Sequence, residues 1–272
     1  MSYNQSKSSQ SLIINKKQIS KSIIIIWGAI IIFLALADVF INHFEWISSG
    51  AIQRLVNITR DDGLPNWFSS IQLLFISIVV WCIFLSLKYS KPNLMKKGIH
   101  GWGWLIIALF FMYLAVDDGS KMHERIGTYF SDKMEFLQTY NPGFLSGIYD
   151  VFPSYGWQFV FVPIFGAIAL FILYFLYKNL ESKRQIIYIV LAFGCYVASV
   201  VLDFFEGMDE SIYDPIMALF DTGLHPVQHF SKLIEEIFEM VGNTLFMLVF
   251  TKQLLNIAEK WKIQVVDLID SD

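Results

Sequence analysis

Charge is what this chain has least of: Asp, Glu, Lys and Arg make up only 16% of its 272 residues, against roughly a quarter in a soluble domain. That shortage excludes an ordinary water-facing surface. Cysteine is nearly missing as well, and Cys82 and Cys195 both fall inside apolar runs, where a thiol behaves as a small hydrophobe. No disulfide framework and no Cys-x-x-Cys site can be built from them. The Gly-rich phosphate loop and the Gly-x-Ser-x-Gly elbow of serine hydrolases are also missing, as are lipobox and prenylation motifs.

What fills the space is apolar, at 55% hydrophobic and 17% aromatic residues. A membrane-crossing helix needs about 20 such residues. Six runs qualify, at 22–41, 67–89, 101–118, 157–177, 186–206 and 231–250. The fold expected is an all-α integral membrane protein, a six-transmembrane-helix bundle over residues 22–258, with tails at 1–21 and 259–272. Placing the N-terminus inside assigns four groups of basic residues to the cytoplasm: Lys7, Lys16, Lys17 and Lys21; Lys88, Lys91, Lys96 and Lys97; Lys178, Lys183 and Arg184; Lys252, Lys260 and Lys262. The outer segments collect most of the acids, so the positive-inside rule gives an N-in, C-in topology in the plasma (inner) membrane. Lys16, Lys17 and Lys21 precede a stretch ending in Ala35-Leu36-Ala37, the pattern of a signal-peptidase site. The run continues to full span length, however, and is read as a retained helix. The net charge of −4 conceals a basic inner face and an acidic outer one, which suits cations and excludes nucleic acid as a partner. The lipid bilayer is the expected surrounding; oligomeric state is not legible.

Along the chain, Phe44, Ile47, Ala51, Leu55 and Ile58 recur at helical spacing and predict an amphipathic helix at the outer interface. Asp61-Asp62-Gly63 predicts a turn, and Pro65-Asn66 the start of the second span. The longest connections, 119–156 and 207–230, lie on the outer side, where function concentrates.

Three runs are completed at their outer ends by acids. The apolar part of the third, 102–116, has fifteen residues, roughly 22 Å of helix against a hydrocarbon thickness of roughly 30 Å. Asp117 and Asp118 complete it. Asp203 and Glu206 follow the fifth, and Glu235 and Glu236 precede the sixth, which Glu239 interrupts. A charge at the bilayer centre costs about 2.5–3.5 kcal/mol on insertion scales, so a set of them implies partners, protonation, metal or water.

Helical spacing aligns Asp117, Lys121 and Glu124, with His123 at the margin. It also forms a stripe of His229, Lys232, Glu236, Glu239 and Asn243, with Glu235 at its edge. Converging carboxylates and imidazoles suit a divalent metal such as zinc, iron or manganese. The expected ligands are His123, Glu124, Asp203, Glu206, His229, Glu235, Glu236 and Glu239, with Asp117 or Asp118 as general base. A second geometry joins His123, His225 and His229 as a three-histidine zinc site. The Glu-x-x-His spacing of helical di-iron proteins is missing. The plain alternative is a solvated helix end, with Lys121 neutralising its neighbours and Lys232 and Glu235 snorkelling outward. Asp38 and Glu45 flank the first helix and fit either reading.

Three motifs carry a resemblance: Asp61-Asp62-Gly63-Leu64-Pro65-Asn66-Trp67-Phe68-Ser69-Ser70, Leu114-Ala115-Val116-Asp117-Asp118 leading to His123-Glu124, and Glu235-Glu236-Ile237-Phe238-Glu239-Met240 with Gly242. Through them the chain resembles a family of bacterial multi-pass membrane proteins of uncharacterised activity. Asp117-Asp118 stands where that family's pattern looks like Asp-Glu, which shortens the reach of the second acid. The resemblance implies a six-helix membrane protein and no activity. The residues themselves point first to a divalent-metal-dependent membrane enzyme acting on a lipid or lipid-soluble substrate. A cation or proton transporter using Glu236 and Glu239 comes second, and a non-catalytic assembly or sensor subunit third.

Overall fold

A computed structural model describes residues 15–89, 100–180 and 182–259. The remainder of the expected tails and residues 90–99, with Lys7, Lys91, Lys96, Lys97, Lys260 and Lys262, lie outside the described residues. All regular structure among the described residues is helical.

Helix α1 (Lys16–Asp38) opens at Asn15, whose Oδ1 accepts the backbone N–H groups of Lys17 and Gln18 at 3.1 and 3.2 Å. That satisfies two of the donors a helix start leaves bare. A π turn (Val39–His43) extends it, and a short α2 (Gly50–Val56) follows. The interfacial helix expected from Phe44 onward is thus only its second half. Val56 and Ile58 turn inward, and Phe44, Trp46, Ile52 and Leu55 remain exposed. Asp62 in the next turn accepts hydrogen bonds from Arg54 and, at 3.0 Å, from Arg60, which hold its carboxyl down at about 2.

α3 (Leu64–Lys88) starts with Pro65 in its first turn, where a proline's missing N–H costs nothing. α4 (His100–Ser120) and α5 (Met122–Tyr140) meet at a sharp break. After α6 (Phe144–Asp150) come α7 (Gly156–Asn179) and α8 (Lys183–Glu206). A 3-10 turn (Glu210–Tyr213) then leads to α9 (Asp214–Phe220) and α10 (Leu224–Glu259). The long outer connections are therefore largely helical.

Five helices, α1 with its π turn, α3, α4, α7 and α8, have the length and apolar composition to cross a membrane, the build of a multi-pass membrane protein. The sixth expected run lies within α10, a 36-residue helix whose apolar character is broken by Glu235, Glu236 and Glu239. It begins at Leu224, ahead of the expected 231, because Pro226 is tolerated in a first turn.

α10 is the spine, packed along α8, α3 and α1, while α3 pairs with α4 and α5 with α7. The main core joins Trp104, Phe111, Phe246 and Phe250 to Ile76, Val80 and Ile83, with edge-on ring contacts such as Phe111–Phe246 at 5.1 Å. A Cβ on Gly103 would meet the Phe175 ring at 2.1 Å, so glycine is what lets α7 come this close to α4. Lys16 Nζ donates to Asn256 at 3.2 Å, tying the start of α1 to the end of α10. That end of the bundle also carries Lys88, Lys178 and Lys183 at helix termini, with Lys252 in the last turns of α10; most of the acids of α4, α8 and α10 lie toward the other end.

Candidate functional site

The break between α4 and α5 decides how the first acidic group is used. Lys121 takes a left-handed backbone, φ 54° and ψ 40°, which costs a non-glycine residue roughly 1–2 kcal/mol. The chain turns there, so the continuous face of Asp117, Lys121 and Glu124 does not form. Lys121 cannot cap α5, and the buried Asp117 does so in its place. Its Oδ1 accepts the His123 backbone N–H at 2.8 Å, and its Oδ2 lies 2.6 Å from His123 Nδ1. Lys121 Nζ reaches Asp61 and Glu124 at 2.7 Å each. Burial alone would lower its pKa, but Glu124 and Asp61 outweigh that and raise it, so the ammonium persists. Glu124 is therefore a lysine partner and Asp117 a cap.

The sequence-derived acids that do converge are Asp203 and Glu206, one turn apart at the end of α8, and Glu235 on α10. Each offers an oxygen within 4.8 Å of the other two. Lys232 Nζ approaches all three, at 2.7 Å from Glu235 Oε1, 3.5 Å from Asp203 Oδ1 and 3.9 Å from Glu206 Oε2. Three carboxylates against one ammonium leave two formal negative charges. From α7, Gln158 Nε2 donates to Asp203 Oδ2 at 2.6 Å. Gln158 and Glu235 are only 3% and 4% exposed, yet Gln158 Oε1 and Glu235 Oε2 have no hydrogen-bond partner among the described residues. Two flanking tyrosines register the negative field. Burial first, then Glu206 and Asp203, push the Tyr155 hydroxyl up to about 12. Burial and the same acids together with Glu235 raise Tyr213, against a lowering contact from Ser231.

A second polar layer runs deeper along α10. Glu239 Oε1 accepts from Ser199 at 2.7 Å and Asp118 Oδ2 from Ser70 at 2.6 Å. Glu236 makes no hydrogen bond or ion pair among the described residues, but it lies within electrostatic reach of Glu239, Lys232, Glu235 and Asp118. Below it, Tyr196 donates to Asn243 at 2.5 Å, and Gln72 Nε2 donates to Thr244 at 3.3 Å. The aromatic core then closes the bundle toward the basic end.

The histidines do not join the carboxylate triad. His229 Nε2 lies 2.8 Å from Oδ2 of the fully buried Asp38, whose Oδ1 accepts from Asn42 at 3.0 Å and from the Ile58 N–H at 3.1 Å. That pair ties α1, the stretch after α2 and α10 together, and His225 stacks beside His229 at 6.2 Å. Among the described residues, only the carboxylate triad brings three metal-ligating side chains this close, so the three-histidine arrangement does not assemble. Gln158 was missed in the sequence, although a lone amide in the apolar run 157–177 was a signal. Ser70, Ser199 and Tyr196 carried none.

No curated protein and no solved structure matches the chain. A family model described as Domain of unknown function (DUF8692) matches residues 21–254, most of the chain. The chain belongs to the DUF8692 family.

Proposed function

We propose that this is a membrane enzyme that holds a divalent cation between Asp203, Glu206 and Glu235 and acts on a lipid-soluble substrate at the acidic end of the bundle. The observation that carries it is the convergence of three carboxylates on a site where two buried oxygens, Gln158 Oε1 and Glu235 Oε2, lack partners. A buried polar atom without a partner costs about 1–3 kcal/mol, and a hard cation would accept both. The donors are all oxygen, so a hard cation such as manganese fits better than zinc or iron, which take sulfur or imidazole more readily. Ligand bonds of roughly 2.0–2.6 Å would require the three oxygens to draw together and Lys232 to swing aside. Such a cation supplies Lewis acidity or an activated water.

The polar layers end against Trp104, Phe111, Phe246 and Phe250, all buried. A polar half closed off on one side by packed rings supports an enzyme over a transporter. In this reading α10 is the sixth span and the topology is N-in, C-in, as the lysines at the opposite end favour.

The test is metal analysis of the detergent-purified protein, with manganese titrated back after chelation. Wild type should bind about one equivalent, and Glu235→Gln and Asp203→Asn should each weaken binding at least about tenfold, since a carboxylate's charge dominates its hold on a hard cation. Absence of binding in wild type, or binding indifferent to both substitutions, removes the proposal.

A further inference from the structure

The α4–α5 break adjoins the triad, because Glu206 lies within electrostatic reach of Lys121 and Glu124. We infer that His123, held by Asp117, is the proton-accepting group of this end of the bundle, an imidazole whose Nε2 lone pair is left free for a water or a substrate hydroxyl. The inference deepens the enzyme reading above and depends on it for its chemistry; the state of the imidazole itself does not depend on a metal.

Four observations build it. Asp117 is 3% exposed, and an ionised carboxylate only accepts hydrogen bonds, so the 2.6 Å contact to Nδ1 places a proton on that nitrogen, and in the neutral ring Nε2 then carries the lone pair. Nothing among the described residues hydrogen-bonds Nε2. The nearest acid, Glu124 Oε1, stands 4.0 Å away and is already engaged by Lys121 at 2.7 Å. The ring is fixed from the side by Trp157, edge-on with centroids 4.6 Å apart, and by Phe161 at 6.3 Å. Finally, the side chain keeps 19% exposure, enough for a small molecule to reach it.

This contact is possible because of two backbone features. The left-handed Lys121 turns the chain so that the His123 N–H and ring both meet one carboxylate. Gly127 lets α5 lie against α7, since a Cβ there would come within 2.4 Å of the Trp157 backbone nitrogen. Backbone strain of this kind persists where its surroundings over-determine it, and it concentrates at functional sites. In the step inferred, one proton leaves a water or hydroxyl oxygen for Nε2, giving an oxygen anion and an imidazolium balanced by Asp117. The same nitrogen later returns the proton to a departing oxygen. Asp117 is then a positioning residue, where the sequence alone had made it the base.

The competing arrangement is a permanent imidazolium bridging Asp117 and Glu124, with protons on both nitrogens. Nitrogen-15 spectra of the full-length, histidine-labelled protein at neutral pH separate the two, the His123 signals being assigned by their loss in His123→Gln. A neutral Nδ1–H tautomer is expected, and a doubly protonated ring overturns the inference. Acylation by diethyl pyrocarbonate, followed site by site in mass spectra, supplies a second readout. His123 should react in wild type and at least about fivefold more slowly in Asp117→Asn, whose amide donates to Nδ1 and moves the proton to Nε2. An unreactive His123 in wild type, or an equal rate in Asp117→Asn, also overturns it. Manganese binding by His123→Gln distinguishes the two proposals. It should match wild type, and loss of binding there would place His123 among the ligands and overturn the inference, whereas wild type failing to bind manganese bears on the metal reading alone.

Discussion

Lys232 occupies the position a bound cation would take, within 4 Å of all three triad carboxylates. Removing it should do two opposite things. Breaking a buried ion pair leaves charge uncompensated and typically costs about 3–5 kcal/mol. Yet an ammonium beside the site repels an incoming dication, so its loss should also tighten metal binding. Lys232→Met should therefore unfold at a clearly lower temperature than wild type without metal, and added manganese should recover much of the loss while shifting wild type less. Equal shifts in the two proteins, read by thermal unfolding in detergent, would mean that Lys232 and the cation do not compete. At this scale the sequence marked the acids and the Lys121–Glu124 pair, but not the other partners. Asp203, Glu206 and Glu235 stood out because charge is expensive in an apolar run. The separate attachments of His123 to Asp117 and His229 to Asp38 depend on tertiary contacts across 6 and 191 residues, which no periodicity encodes.

Among the helices, the α4–α5 junction shows why a face read by spacing can fail. The rule that i, i+3 and i+4 share a side holds only while the backbone stays helical, and one left-handed residue at Lys121 ends it. Nothing in Gly119-Ser120-Lys121 demands that conformation at the lysine rather than the glycine. The positions of the long helices were legible, since 67–89 and 186–206 fall within a few residues of α3 and α8. The helices hidden in 119–156 were not, because α5 mixes charge and apolar residues and looks like a loop. The α5–α7 contact is the element-scale prediction. Gly127→Ala places a methyl against the Trp157 backbone, and overpacking of this kind costs about 1–3 kcal/mol. It should lower thermal stability and alter tryptophan fluorescence as the His123–Trp157 contact opens, whereas Gly147→Ala, with open space around it, should leave both unchanged. Similar behaviour of the two variants would refute the close-approach account.

For the molecule as a whole, the division of charge between the two ends sets the direction of access. Acids and amides line the acidic half down to Asn243, and tightly packed rings fill the half beyond it. Water should therefore reach Glu206 and, past the polar side chains along α10, Glu239 from the acidic side, and stop there. The native Cys82 and Cys195 must first be replaced, after which Glu206→Cys and Glu239→Cys can be labelled with a membrane-impermeant maleimide in oriented vesicles. Both should react from the extracytoplasmic face only, with position 206 the faster because it lies nearer the mouth. Labelling from the cytoplasmic face alone would invert the topology drawn from the lysines. Reaction of position 239 from both faces would reveal a continuous path through the bundle, and the acids along α10 would then belong to a transporter and not to an enzyme site closed off on one side.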